Sequence, residues 1–347
     1  MKFNCKLHWS KEKKNRVVII FLLILFIGLA LNCGFTLFPS WDLESQHVVT
    51  VNIQRGMNPV QIAELLYDRH VIKSKKSFVW GARLLGVSRQ LQAGRYSFDG
   101  RISNYGILKK LAAGNVLTEQ ITFFEGIQST QIASIIQKKM NIDSIEFMNL
   151  VNHSEFVRSL GIASDRLEGY LFPDTYQFHT DATAEEIIER MVYQWRHQFN
   201  DSLVMRALKM NFTVHEVMTL ASIIEGEAVL DSERPIIAAI YLNRLYRGMP
   251  LQACPTIQYL LPEGPRHLLK KDLEIDSPYN TYRYDGLPPG PVNNPGMKSV
   301  FAVLNPASVN YLYLVANGDG THTFSRTMDE HLKAKRRFDR IRRFYRQ

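Results

Sequence analysis

Cysteine is scarce in these 347 residues, and Cys5, Cys33 and Cys254 stand too far apart in sequence for a CxxC pair or a disulfide framework. The ten histidines show no paired zinc-binding spacing, so neither a metal nor another cofactor is expected. A surplus of one charge is also lacking from the body of the chain. The formal charge is +9, but residues 1–16 set six Lys/Arg against Glu12 alone, and residues 333–347 set eight against Asp339. The 316 residues between these tails sum to −3, which excludes a broad basic face for nucleic acid.

Long apolar runs are absent with one exception. Residues 17–38 are apolar except for Asn32 and small residues, and as a helix they would span about 33 Å, enough to cross a bilayer. Lys6, Lys11, Lys13, Lys14 and Arg16 precede the run, whereas Asp42 and Glu44 follow it. The positive-inside rule therefore leaves residues 1–16 in the cytoplasm and places the folded mass outside. No small-x-small cleavage site closes the run, and Leu31 and Asn32 occupy positions where a lipoprotein signal needs small residues. The expectation is an uncleaved single-pass anchor in the inner membrane, with a periplasmic body.

The remaining chain suffices for two or three compact units. After a linker at 39–47, residues 48–54 alternate like a strand and residues 59–69 have helical spacing. Gly56, Gln61, Ile62 and Ala63 recur 70 positions later as Gly126, Gln131, Ile132 and Ala133. Each copy reads as strand, turn and helix, which suggests duplicated packing geometry. The unit resembles the LysM type of glycan-binding module, here placed at 48–116. Between the copies, residues 92–98 read as a strand and 103–113 as a helix stopped by Gly114.

From 117 to 347 the pattern is mainly helical, at 142–151, 182–198, 203–210 and 214–225, so the fold class is α+β. Asp231 or Ser232 can cap a further helix with Pro235 in its first turn. Proline and glycine are dense from 262 to 306, and residues 286–296 exclude a regular element. A hairpin is expected across Asn317-Gly-Asp-Gly320, followed by a basic helix near 327–345.

Residues 221–228 read Ala-Ser-Ile-Ile-Glu-Gly-Glu-Ala. A carboxyl group against apolar walls holds its proton more tightly, which suits an acid working near neutral pH. Two solvated glutamates at a helix end fit the same residues. Val214, Val217, Met218, Ala221, Ile224 and Ala228 form one stripe at 3.6-residue spacing. Glu225 falls inside that stripe, whereas Glu227 falls beside Glu216, Leu220 and Ile223. Residues two apart do not share a helix face, so periodicity selects Glu225 unless Gly226 ends or bends the helix and redirects Glu227.

Three further stretches are rich in aromatic and amide groups, as a carbohydrate cleft requires. They begin at Leu167, Met249 and Ser277. Glu168-Gly-Tyr-Leu-Phe-Pro-Asp-Thr-Tyr, Ala221-Ser-Ile-Ile-Glu-Gly-Glu, Asn243-Arg-Leu, Gly248-Met-Pro-Leu-Gln, Pro255-Thr, Tyr279-Asn-Thr-Tyr, Gly286-Leu-Pro-Pro-Gly-Pro and Tyr311-Leu-Tyr-Leu-Val-Ala resemble, in order, the MltG (YceG-like) endolytic murein transglycosylases. The resemblance implies cleavage of the MurNAc–GlcNAc β-1,4 bond inside nascent peptidoglycan, leaving 1,6-anhydro-MurNAc ends and terminating strand elongation. It also implies a LysM-like module before the catalytic domain, and association with peptidoglycan synthases.

By the same resemblance the catalytic acid is Glu227, the second acid of its motif, with Glu225 shaping the site. Glu168, Tyr170, Gln252, Thr256, Asn280, Thr281 and Tyr282 are the candidates to shape the site and hold glycan. Two positions depart from the family: Lys or Arg is common where this chain has Gly226, and Asp where it has Cys254. A non-catalytic, membrane-tethered peptidoglycan-binding scaffold and a hydrolase pairing Glu225 with Glu227 are the alternatives.

Overall fold

The computed structural model describes residues 15–16, 18–28, 40–42, 48–262, 264 and 266–344. Residues 18–28 are helical, with exposed apolar side chains. The rest of the expected anchor, residues 17 and 29–38, lies outside the described residues, as do 1–14 and most of the linker. Among the described residues no helix is long and apolar enough to cross a membrane.

The chain divides into two compact units, Met1–Glu119 with His179–Asp181, and Gln120–Phe178 with Ala182–Gln347. The first contains β1 (Ser40–Asp42), β2 (Val49–Ile53), α1 (Pro59–Asp68), α2 (Lys75–Leu84), β3 (Gly94–Phe98), β4 (Arg101–Ser103) and α3 (Asn104–Ala112). β2 pairs antiparallel with β3, setting Val51 opposite Tyr96, and β1 pairs with β4. The alternation of β2 turns Val51 and Ile53 inward against Ile62, Leu66, Phe78, Phe98 and Leu108. Helix α2 escaped the sequence reading because it buries only Phe78, Gly81 and Ala82, too short a stripe to register.

The second unit contains most of β5 (Thr118–Thr122) and of β6 (Thr175–His179), together with α4 (Ser129–Met140), α5 (Ser144–Val151), α6 (Ser154–Ser159), α7 (Ala184–Gln198), α8 (Asp201–Lys209), α9 (Val214–Glu227), α10 (Arg234–Tyr246), α11 (Cys254–Gln258), α12 (Met297–Leu304), β7 (Tyr313–Ala316), β8 (His322–Ser325) and α13 (Met328–Phe344). Short 3-10 turns occupy Asp231–Glu233 and Lys270–Glu274. β5 pairs with β6, and β7 with β8 across the expected Asn317–Gly320 turn. The repeat has a local cause. Gln61 takes the Asn58 N–H at 2.9 Å and Gln131 takes the Gln128 N–H at 3.0 Å, so each glutamine closes the start of its helix.

Helix α12 begins directly after the irregular 286–296 stretch, where Pro295 and Pro306 bracket an apolar run long enough for two turns. One expectation changes. Asp231 and Ser232 do not cap α10; they lie in the 3-10 turn, and Asp231 instead receives Arg234 Nε at 3.1 Å.

Helix α9 is the centre of this unit. Thr213 and Glu216 cap its start reciprocally, and every residue from Val217 to Ile224 is buried, with α10 and α12 packed against it. A helix buried all round carries no face signal, so the single stripe read from sequence understated its burial.

Candidate active site

Helix α9 runs through Gly226 and ends at Glu227; Ala228 is extended but still donates its N–H to Ile224 O at 2.9 Å. The expected break at Gly226 is therefore absent. A Cβ at this position would lie 2.7 Å from Pro255 Cβ, so the missing side chain serves close approach by α11 instead of a turn.

The two glutamates are in different chemical states. The Glu225 side chain is 5% exposed, and both its oxygens are committed: Oε1 to Arg234 at 3.0 Å, Oε2 to Gly296 N at 3.0 Å and Ser299 Oγ at 2.8 Å. It joins α9 to α10 and α12. Glu227 is half-buried and receives both its hydrogen bonds on one oxygen. Tyr241 Oη donates to Oε1 at 3.0 Å and Cys254 N at 3.1 Å, while Oε2 has no partner among the described residues. Burial raises the pKa of Glu227; the two donors and the nearby Arg244 guanidinium oppose that rise without cancelling it. A carboxyl group that is oriented by one oxygen, free at the other and reluctant to ionise has the properties of a general acid.

Local structure explains the donors. Cys254 opens α11, so its N–H has no carbonyl within that helix to bond. Tyr241 is buried in the middle of α10, where the sequence presents only an apolar run. Arg244, also buried, is fixed by Leu312 O at 2.7 Å and Leu251 O at 2.5 Å. Tyr241 was missed in the sequence because a segment remote in the chain brings it to Glu227; His322 was missed as well, and Arg244 was noted only within Asn243-Arg-Leu.

The predicted glycan-binding residues fall into three groups. Thr256, Asn280 and Thr281 are buried and brace the loop that carries Cys254. Thr281 Oγ1 takes Ala253 N at 3.0 Å and meets Thr256 Oγ1 at 2.9 Å, while Asn280 donates to Leu273 O and Ile275 O and accepts from Tyr282 N. These three support the site from below. Gln252 is exposed at φ 49°, and Tyr282 Oη lies 3.4 Å from Cys254 Sγ, so both side chains stand on the accessible side of that loop.

Glu168 and Tyr170 stand elsewhere. Glu168 is buried, accepts from Ser129 N at the start of α4 and from Asn294 Nδ2 at 3.0 Å, and is pushed up to about 7 by desolvation. Tyr170 Oη bonds His215 Nδ1 at 2.8 Å. His215 Nε2 faces Pro289 O at 2.8 Å; a carbonyl only accepts, so Nε2 carries the hydrogen and Nδ1 receives the phenol. Glu168 and His215 line a pocket of about 460 Å³ with Arg166, Tyr279 and, from the 286–296 loop, Pro289 and Pro291. That loop is pinned by Asn293 to Ser222 O of α9 at 2.8 Å, and by Asn294 to Gly169 N, Leu171 N and Ile127 O.

Comparison with known proteins places this arrangement. The sequence model of the YceG-like family matches residues 51–337. The endolytic murein transglycosylase of Bacillus subtilis is 36% identical over 330 residues, spanning 90% of this chain and 91% of that protein. That of Streptococcus pneumoniae strain R6 is 31% identical over 323 residues, covering 84% of this chain and 58% of the pneumococcal protein. The crystal structure of a YceG-like protein from Listeria monocytogenes aligns at 35% identity and a TM-score of 0.58, over 83% of this chain and 99% of that one.

Proposed function

The chain belongs to the YceG-like family, and from that membership and the geometry at Glu227 we infer that it is an endolytic murein transglycosylase. It is a lyase that cuts the MurNAc–GlcNAc β-1,4 bond within peptidoglycan strands. The observation that carries the assignment of the acid is the one-sided hydrogen bonding of Glu227, with Oε2 left open.

Glycoside hydrolysis ordinarily needs two carboxyl groups, one to protonate the leaving oxygen and one to attack or activate water. Glu225 is poorly suited to be the second, since both its oxygens are already bonded inside the protein. Lytic transglycosylation needs only one. Glu227 gives its proton to the glycosidic oxygen as the bond from C1 of MurNAc to O4 of GlcNAc breaks. The C6 hydroxyl of the same MurNAc closes onto C1, and its proton passes to the Glu227 carboxylate, which restores the acid. The nucleophile is tethered to its target, so its effective concentration is high without a bound water.

The module at 48–116 is proposed to hold glycan in the LysM manner, supported by its glycine turn at Gly56 and the capped helix after it. Residues 17–38 are proposed to anchor the protein in the inner membrane with its folded mass on the periplasmic side, supported by the apolar composition and the charge asymmetry around the run. An anchored enzyme would meet nascent strands where synthases release them, consistent with a role in ending elongation.

Digestion of purified peptidoglycan with the chain, followed by mass spectrometry, tests the reading. Anhydro products lighter by one water than hydrolysis products, and absent with Glu227→Gln, are expected. Reducing ends would establish a muramidase, and strand binding without any cleavage would establish the scaffold alternative.

A further inference from the structure

We propose that Glu233 and His322 form a second working pair of this site, an oriented imidazole that touches the bound strand through Nε2; the inference rests on the transglycosylase reading. Glu233 closes the 3-10 turn that follows the end of α9. Its carboxylate meets both donors that His322 offers on one side: the backbone N–H at 3.0 Å on Oε1, and Nδ1 at 2.7 Å on Oε2. The two side chains are 12% and 7% exposed. An ionised carboxylate only accepts, so Nδ1 carries the hydrogen and the ring is fixed in plane and tautomer.

The other nitrogen is left over. Nε2 has no hydrogen-bond partner among the described residues, and it is not among the sealed polar atoms that lack one, so it reaches solvent. The hairpin itself touches the segment that follows the acid. The hairpin that carries His322 packs its turn on the chain just past Glu227: a Cβ on Gly320 would stand 3.4 Å from Val229 Cγ1.

A purely structural role accounts for only half of this residue. Stapling the hairpin to the 3-10 turn needs the backbone N–H and one donor at the Nδ1 position, which an asparagine amide supplies equally well. Imidazole adds a second nitrogen on the far side of the ring, and that nitrogen has no partner among the described residues. The chemistry it offers is a hydrogen bond to a sugar hydroxyl or acetamido group flanking the scissile bond. His322 is thus a substrate-contacting residue, and Glu233 positions it.

Full-length protein in detergent, acting on labelled uncrosslinked glycan strands, separates the two roles. His322→Asn keeps the staple and deletes Nε2. An apparent KM raised about tenfold with an unchanged melting temperature is expected. His322→Gln, whose amide reaches the Nε2 position, should recover part of that loss. The same pair of variants is compared for strand binding in a Glu227→Gln background, which reads the contact without turnover. Weaker binding by His322→Asn supports the contact. Equal binding and an unchanged KM overturn it, and reduce the pair to a staple. If the unmodified chain releases no anhydro products, the transglycosylase reading fails on its own, while the binding comparison still decides the contact.

Discussion

Tyr241 and Cys254 converge on Oε1 of Glu227, the phenol at 3.0 Å and the backbone N–H at 3.1 Å, so Oε2 is left without a partner among the described residues. Both donors favour the ionised carboxylate, and desolvation outweighs them. As the proposed general acid, Glu227 must be protonated, so activity should fall as pH rises through its pKa. Tyr241→Phe removes a donor that lowers that pKa; the basic limb of the kcat/KM profile should therefore move to higher pH, and the maximal rate should drop as the carboxyl loses an anchor. A basic limb that moves to lower pH would show that the phenol does not favour the charged form.

Glu225 and Glu227 should separate by assay. Glu227→Gln is expected to abolish anhydro products while leaving denaturant unfolding close to that of the parent. Glu225→Ala strands Arg234, whose side chain is 8% exposed, and breaking a buried pair costs about 3–5 kcal/mol. Asp231 remains as a partner for Arg234 and places the loss toward the lower end. Urea midpoints measured beside product masses check both halves of this statement.

Glu168 makes stability depend on pH. Its pKa of about 7 in the folded protein exceeds the ordinary 4.5, so between these values the folded chain keeps a proton that the unfolded chain has released. The stabilisation is complete below the unfolded value and is lost as pH rises toward 7, on the order of 3 kcal/mol in all. Glu168→Gln retains an oxygen for Ser129 N and should flatten that decline. Unfolding free energies at about pH 4.5, 6 and 7.5 give the slope directly; an unchanged slope would mean that Glu168 is ionised throughout.

How much of this was readable in the chain depended on whether the cause was local. Asn58 with Gln61, Thr213 with Glu216, and the Asn317–Gly320 turn act within a few residues, so the elements they start or reverse were legible. Helix α12 was hidden because the proline and glycine density around it dominated the reading. Periodicity singled out Glu225 as the buried carboxylate, and its side chain is 5% exposed, but periodicity could not tell a structural acid from a reactive one. Family resemblance pointed to Glu227, and the difference in hydrogen bonding between the two acids has a non-local source: Tyr241, Cys254, Arg234 and Ser299 arrive from other elements.

Cys254 offers a chemical probe of the same oxygen. Its thiol is exposed, although surrounding bulk and the Glu227 charge raise its pKa. Alkylation by iodoacetamide should be slow at neutral pH, accelerate as pH rises, and eliminate turnover by placing an adduct between Glu227 and Tyr282. Cys254→Ser keeps the backbone donor and should resist this inactivation, which also separates the effect from modification of Cys5 and Cys33. Equal sensitivity in the serine variant would place the relevant thiol elsewhere.

Gly226 sets two effects of opposite sign against each other. Alanine inside a helix is favoured over glycine by about 1 kcal/mol, so Gly226→Ala would stabilise an unencumbered α9. Here the added methyl meets Pro255 Cβ and Cγ at 2.7 Å, and the ring cannot swing aside as a flexible chain end could. Pro255 is therefore pushed away, and Cys254 moves with it as the preceding residue. Its N–H is drawn from Glu227 Oε1, which weakens one of the two bonds that orient the acid. A lower melting temperature together with a fall in kcat is the expected outcome. A variant that gained stability and kept its rate would show that α11 yields without disturbing the acid, and that the close approach of Gly226 to Pro255 does not hold the site together.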